Sequence, residues 1–291
     1  MDQADTLRKI ANKTNFSERQ KEMKREKNNN ESVRIIAVTS GKGGVGKTNV
    51  VANLAFALGK HDKNTLIFDA DTGLGNVDIL LGLAPKYNLK HVLKRERDIK
   101  DVIINHKKGI SVLPAASGIQ ELAELNRDQR LIISEEFDSL ADNYDYILLD
   151  TGAGISSNVT HFCASAHNTL VVVSPEPTSL TDAYALIKVL FLNHNQKQFK
   201  LLINLAKSDK EATEVYRQLS AVIHKFLPLI SVDYIGYVLY DENMAKSVRM
   251  QKSIVDFYPY SKASKGFIKL AEKITGLEPA LSLTGNKINL F

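Results

Sequence analysis

The sequence predicts an α/β fold, a mostly parallel twisted sheet with helices on both faces. Three observations predict it. Short, near-continuous apolar runs alternate along the chain with stretches whose apolar residues recur at helical spacing. Strands buried on both faces read as such continuous runs, and helical crossovers supply the alternation. The glycine-rich string SGKGGVGKT lies between the first apolar run and the first helical stretch. The composition agrees: of 291 residues, 44% are hydrophobic and 24% charged, the profile of a soluble globular chain.

The elements follow in order. Residues 33–40, VRIIAVTS, form an apolar run ending in a glycine-rich turn, and Thr48 to Lys60 carries helical spacing. Strands are predicted at 64–69 (NTLIFD), 109–113 (GISVL) and 145–150 (DYILLD), with a helix over 127–143 between the last two. The series continues with strands over 169–173, 200–205 and 232–238, and helices near 178–193, 209–226 and 261–275. Nothing between 33 and 276 has linker composition, and no internal repeat is visible, so that span is one domain.

The two ends differ from it. Residues 17–32, SERQKEMKREKNNNES, hold no bulky apolar residue except Met23, so 13–32 reads as a flexible linker that cannot repay its ordering entropy. Ahead of it, Ala4, Leu7, Ile10 and Ala11 make a one-sided stripe at helical spacing. A helix that short is marginal in water. Residues 1–12 are therefore either a peptide that folds against another surface or a frayed terminus. The tail 277–291 is broken by Pro279.

Charge and cysteine count narrow the class. A net charge of +5 permits an anionic partner without arguing for one. The single cysteine, Cys163, cannot form an internal disulfide and fits a reducing cytoplasm. It reads as a buried structural thiol in the run VTHFCASA. No run approaches the roughly 18 apolar residues of a membrane span, and the charged opening MDQADTLRKI has no signal-peptide core. The seven histidines show no metal spacing.

Chemistry concentrates at the glycine-rich turn. Gly41, Gly46, Lys47 and Thr48 match the pattern G-x-x-x-x-G-K-[ST]. Glycines let successive N–H groups curl inward onto phosphate oxygens, and the helix N-terminus adds dipole and orphan donors. Lys47 can reach the β- and γ-phosphates, and the Thr48 hydroxyl can ligate Mg²⁺. Asp69 and Asp71, in FDADTGLGNVD, sit at the carboxyl end of a parallel strand, where open α/β sheets bind ligands. Asp150 closes another apolar strand and is the candidate second Mg²⁺ residue, acting through a water. After it, Thr151-Gly152-Ala153-Gly154 reads as a flexible run able to move when γ-phosphate is lost.

Lys42 turns the loop into the deviant form KGGxGK[ST], running Lys42-Gly43-Gly44-Val45-Gly46-Lys47-Thr48. With the strings DADTGLGNVDILLG (69–82), YDYILLDTGAGIS (144–156) and SPEPTSLTDAYALIK (174–188), residues 34–275 resemble the MinD/ParA group of deviant phosphate-loop ATPases. Within it they resemble most the FlhG (FleN/YlxH) family of regulators of flagellar number. DQADTLR at 2–8 is similar to that family's N-terminal element.

The resemblance implies a MinD-like deviant P-loop NTPase with ATP or ADP and Mg²⁺ as ligands, slow regulatory hydrolysis, and an ATP-dependent homodimer. Lys42 would reach across the dimer to the partner's phosphates. Gly43 to Thr48 would cradle the phosphates, Asp71 would orient the attacking water, and Asp150 would lie in the second switch. Asn204 would read the adenine edge, and Tyr240, Asp241 and Glu242 would close over the base. Residues 1–12 would be an activator helix for an FlhF-type GTPase, with Gln3 active and Leu7 and Arg8 in the contact. Flagellar switch (C-ring) proteins or a transcription regulator are further implied partners, with no specific nucleic acid.

One departure touches localisation. MinD-like proteins usually end in a basic amphipathic helix that sits on the membrane in the dimer. Here GLEPALSLTGNKINLF offers only Ile288, Leu290 and Phe291 as an apolar face, and 266–275 reads instead as a helix packed on the sheet. The expectation is a cytoplasmic protein, with a peripheral place at the inner membrane face only for the ATP-bound dimer. Two other readings share the fold. A metabolic ligase would need a substrate pocket and no activator peptide, and a ParA-type DNA-binding ATPase would need a basic patch on the dimer.

Overall fold

The structure, a computed structural model, describes residues 33–71, 75–107, 109–114, 125–277 and 290. The activator and linker segments, including Gln3, Leu7 and Arg8, lie outside the described residues, as does most of the tail.

Among the described residues eight strands form one sheet: β1 (Arg34–Ser40), β2 (Thr65–Ala70), β3 (Ile104–Lys107), β4 (Ile110–Leu113), β5 (Tyr146–Ala153), β6 (Asn168–Val173), β7 (Gln198–Ala206) and β8 (Ser231–Leu239). Their order is β3-β4-β2-β5-β1-β6-β7-β8. Every pairing is parallel except β3 with β4. From β1 the chain crosses β5 to reach β2, and from β5 it crosses back over β1 to β6. That reversal opens a ligand crevice at the carboxyl ends of β1, β2 and β5.

The continuous apolar strands are explained by burial on both faces. In β1, Ile35 and Ala37 face one core while Ile36 and Val38 face the other. One face is covered by α1 (Lys47–Lys60), α2 (Val77–Leu81), α10 (Ile254–Phe257) and α11 (Lys262–Thr275). The opposite face is covered by α3 (Leu89–Leu93), α4 (Ile99–Val102), α5 (Arg127–Asp138), α6 (Ser157–Ser165), α7 (Pro177–His194) and α8 (Asp209–Phe226). Among the described residues the remaining α-helix is α9 (Glu242–Arg249).

Several elements depart from the sequence reading. The helix expected over 127–143 ends at Asp138, and Ala141–Asn143 is a separate 3₁₀ turn. The antiparallel β3, INHK, is half-exposed and polar, so it lacks the apolar signature of the buried strands. Strand β5 runs past Asp150 to Ala153. It lies between β1 and β2, and the ladder holds Thr151 against Ala70 and Ala153 against Ser40. The segment read as a flexible run is thus strand through Ala153, with the left-handed residue at Gly154 (φ 92°).

Two expectations about packing hold. Helix α11 packs through Phe267, Leu270, Ala271 and Ile274. Cys163 is fully buried in the opposite core. From the tail, Leu290 is buried, and its carbonyl lies 2.9 Å from His161 Nε2.

Candidate nucleotide-binding site

The chain leaves β1 at Ser40 and turns through 41–46 into α1, whose N-cap, Gly46, is left-handed (φ 83°). A Cβ on Gly46 would lie 2.6 Å from the Asn204 amide nitrogen. Only glycine meets both conditions. Gly41 lies directly against the backbone of Asp182 and Ala183 in α7. The loop is therefore held between the end of β7 and α7.

Lys47 opens α1 and is 8% exposed. Its ammonium donates to Asp150 Oδ1 at 2.7 Å, and Asp150 is 1% exposed. Asp150 occupies the middle of the sheet, opposite Val38 on one side and Asp69 on the other. Thr48 lies close enough to Asp150 to favour its charged carboxylate. Burial pushes the Asp150 carboxyl up, and the Lys47 charge pulls it back. Among the described residues no group of three or more His, Cys, Asp or Glu could hold a metal by itself. Mg²⁺ commonly takes only one or two protein ligands when substrate phosphates supply the rest. Thr48 and Asp150, side by side next to the loop, fit that requirement.

The two aspartates after β2 separate by environment. Asp69 is 2% exposed. Its Oδ1 accepts from the Asp71 N–H and its Oδ2 from the Val77 N–H, both at 3.2 Å. It ties together the ends of the segment leading into α2. Burial, then the charge of Asp150, raises its pKa from 3.8 to about 7. Asp71 is only half-buried. A Cβ on Gly152 would lie 3.6 Å from Asp71 Oδ1, so Asp71 faces the segment that follows Asp150. Of the pair, Asp71 is the less buried carboxylate.

Lys42 points elsewhere. Its ammonium reaches Glu176 Oε2 at 2.5 Å and the Thr178 hydroxyl at 2.9 Å, beside the start of α7. Glu176 and Thr178 belong to the string SPEPTSL and lie outside the candidate site residues. Nothing local signals a contact across more than 130 residues.

Asn204 lies two residues before the end of β7 and is 4% exposed; its amide donates to the Val45 carbonyl at 2.8 Å. Leu205, the next residue, is left-handed (φ 62°) where the β7–β8 register shifts. Tyr240 is 58% exposed and its N–H donates to Ala206 O at 2.8 Å. Asp241 caps α9 through the Asn243 N–H at 3.0 Å and holds α11 through the Ala263 N–H at 3.2 Å. Both its oxygens are thus engaged in tying helices together. Glu242 is exposed in the first turn of α9.

Comparison with known proteins bears on this geometry. A family model described as an AAA domain matches residues 33–206. The sequence is 42% identical to the antiactivator FleN of Pseudomonas aeruginosa over 242 residues, 83% of this chain and 86% of that protein. This chain belongs to the FleN/YlxH family of MinD-like ATPases. It is also 31% identical to the flagellum site-determining protein YlxH of Helicobacter pylori, covering 84% of this chain and 82% of that one. The solved structure of the cell-division ATPase MinD of Pyrococcus furiosus superposes with a TM-score of 0.66 at 29% identity, covering 84% of this chain and 99% of that one. MinD of Pyrococcus horikoshii, solved with Mg-ADP, gives a TM-score of 0.66 at 25% identity over 84% of this chain and 96% of that one. Among the described residues of this FleN/YlxH-family chain, no helix is long and apolar enough to cross a membrane.

Proposed function

We propose that this chain is a slow, Mg-dependent ATPase that acts as a nucleotide-dependent dimerisation switch and regulates flagellum number or placement. The observation that carries the reading is the convergence of Lys47, Thr48, Asp150 and Asp71 beside one glycine-rich loop at the carboxyl ends of β1, β2 and β5. The names of the relatives, an antiactivator and a flagellum site-determining protein, support the biological setting.

Each residue has a physical role in this reading. The N–H groups of Gly43 to Thr48 and the first turn of α1 cradle phosphate oxygens. Lys47 would turn from Asp150 to the β- and γ-phosphates, and Thr48 and Asp150 would hold the Mg²⁺. The metal ion supplies charge neutralisation along the phosphates. Asp71 orients a water in line with the γ-phosphate. Asn204 presents its amide to the adenine edge, flanked by Tyr240, Asp241 and Glu242. Lys42 leaves Glu176 and Thr178 to meet the phosphates of a second copy, where two facing γ-phosphates would otherwise repel.

Residues 1–12 act separately, as a peptide that stimulates an FlhF-type GTPase through Gln3, Leu7 and Arg8. The 13–32 linker gives that peptide reach. C-ring or transcription regulator proteins bind the switch, and any membrane contact belongs to the dimer in the cytoplasm.

Calorimetric titration of Mg-ATP into the wild type and Lys47→Ala tests the assignment. Truncating one partner of a buried charged contact costs about 2–5 kcal/mol, so affinity falls by roughly thirtyfold to several thousandfold. Wild-type affinity in a Lys47→Ala protein whose circular dichroism is native would refute it.

A further inference from the structure

Strand β8 ends the sheet and pairs only with β7. Among the described residues its outer edge meets no other strand, which leaves a row of backbone donors and acceptors facing out. Helix α11 runs alongside in the opposite sense. Ala263 meets Asp241, Gly266 meets Tyr237 and Val238, and Lys273 reaches the ring of Tyr234. Gly266 makes the close approach possible, because a Cβ there would lie 3.0 Å from the Tyr237 carbonyl.

Between strand and helix lies a groove of about 270 Å³. Its strand wall carries Tyr234, Tyr237 and Leu239. Its helix wall carries Lys262, Lys265, Lys269 and Lys273. All four lysines are exposed, and among the described residues none pairs with a carboxylate. The strand's own acid is engaged: Asp233 pairs with Lys200 at 3.5 Å. Glu272 is the one carboxylate of α11, in its last turn.

We propose that this edge docks an extended acidic segment of another protein, which adds a strand to β8 and lays alternate carboxylates along the α11 lysines. The spacing carries the proposal. Lysines three, four and four residues apart rise about 4.5, 6 and 6 Å along a helix. Alternate side chains of a strand rise about 6.6–6.8 Å. An added strand with an acid at every second position thus keeps step with the stripe, while its other side chains meet Tyr234, Tyr237 and Leu239. Backbone pairing supplies affinity and the lysines supply selection. A nucleic-acid backbone would use the same charges but not the strand edge.

The test uses the full chain and a labelled peptide of about nine residues in which glutamate alternates with valine, followed by fluorescence anisotropy. The expected result is saturable binding in the micromolar range. It should weaken by at least roughly tenfold in Lys265→Glu/Lys269→Glu, because like charges then face each other. Methylating alternate peptide nitrogens, which removes strand pairing but not charge, should abolish it. Hydrogen exchange at 232–239 should slow when the peptide binds, and the double variant should keep wild-type ATPase activity. Tighter binding of a duplex DNA or of phosphatidylserine vesicles than of the peptide overturns the proposal. So does peptide binding that is indifferent to methylation. Absence of saturable peptide binding leaves the lysines as guards against edge-to-edge pairing and also overturns it.

Discussion

At the scale of single residues, environment separates side chains that look alike in sequence. Asp69 and Asp71 lie two positions apart, yet Asp69 is committed to two backbone N–H groups while Asp71 faces Gly152. Their substitutions should therefore differ. Asp71→Ala should bind Mg-ATP with near wild-type affinity and turn over about a hundredfold slower, the scale of a lost proton-handling group. Single-turnover measurement of phosphate release checks this, and a native rate would remove Asp71 from the mechanism. The Lys47–Asp150 pair was legible only as two separate motif residues. Their distance of 2.7 Å depends on β5 lying next to β1, which spacing within either motif does not reveal. The same applies to Lys42 with Glu176 and Asn204 with Val45. Each is a contact between segments far apart in the chain.

At the scale of elements, the sequence was most informative where both faces are buried. Strands such as β1 and β6 announce themselves because nearly every residue is buried and each carries an unbroken run of four apolar residues. The edge strand β3 does not, since its residues alternate between half-buried and exposed. Helix α9 was hidden because it begins inside the segment assigned to the base loop, with Asp241 as its cap. Helix α6 shows a buried element tuning chemistry. Burial pushes the Cys163 thiol up to about 12. Free thiols ionise near 8.5, so the folded chain holds its proton where the unfolded chain releases it. The stability this gives is complete below about pH 8.5 and is lost as pH rises toward 12. Iodoacetamide should leave Cys163 unmodified at pH 8.5 in the native protein and alkylate it fully in denaturant. Modification of the native chain within minutes would show that the helix opens readily.

At the scale of the whole molecule, the proposal divides labour between a nucleotide switch and an N-terminal peptide. Residues 1–12 as a synthetic peptide should accelerate GTP hydrolysis by an FlhF-type partner. Gln3→Ala should remove most of the acceleration while leaving binding, because the amide that positions water is lost but the apolar stripe remains. Deleting 1–12 should leave this chain's own ATPase rate unchanged. A GTPase rate that is insensitive to saturating peptide would leave the DQADTLR string without that role. The switch itself rests on Lys42, held in the single chain by Glu176 and Thr178 and required by the proposal to meet a partner's phosphates. The most direct test is the solution mass of the Asp71→Ala protein by light scattering in Mg-ATP and in Mg-ADP. The expected result is twice the single-chain mass in ATP, the single-chain mass in ADP, and the single-chain mass in ATP when Lys42→Ala is added. A single-chain mass for Asp71→Ala in saturating Mg-ATP would contradict the dimerisation switch.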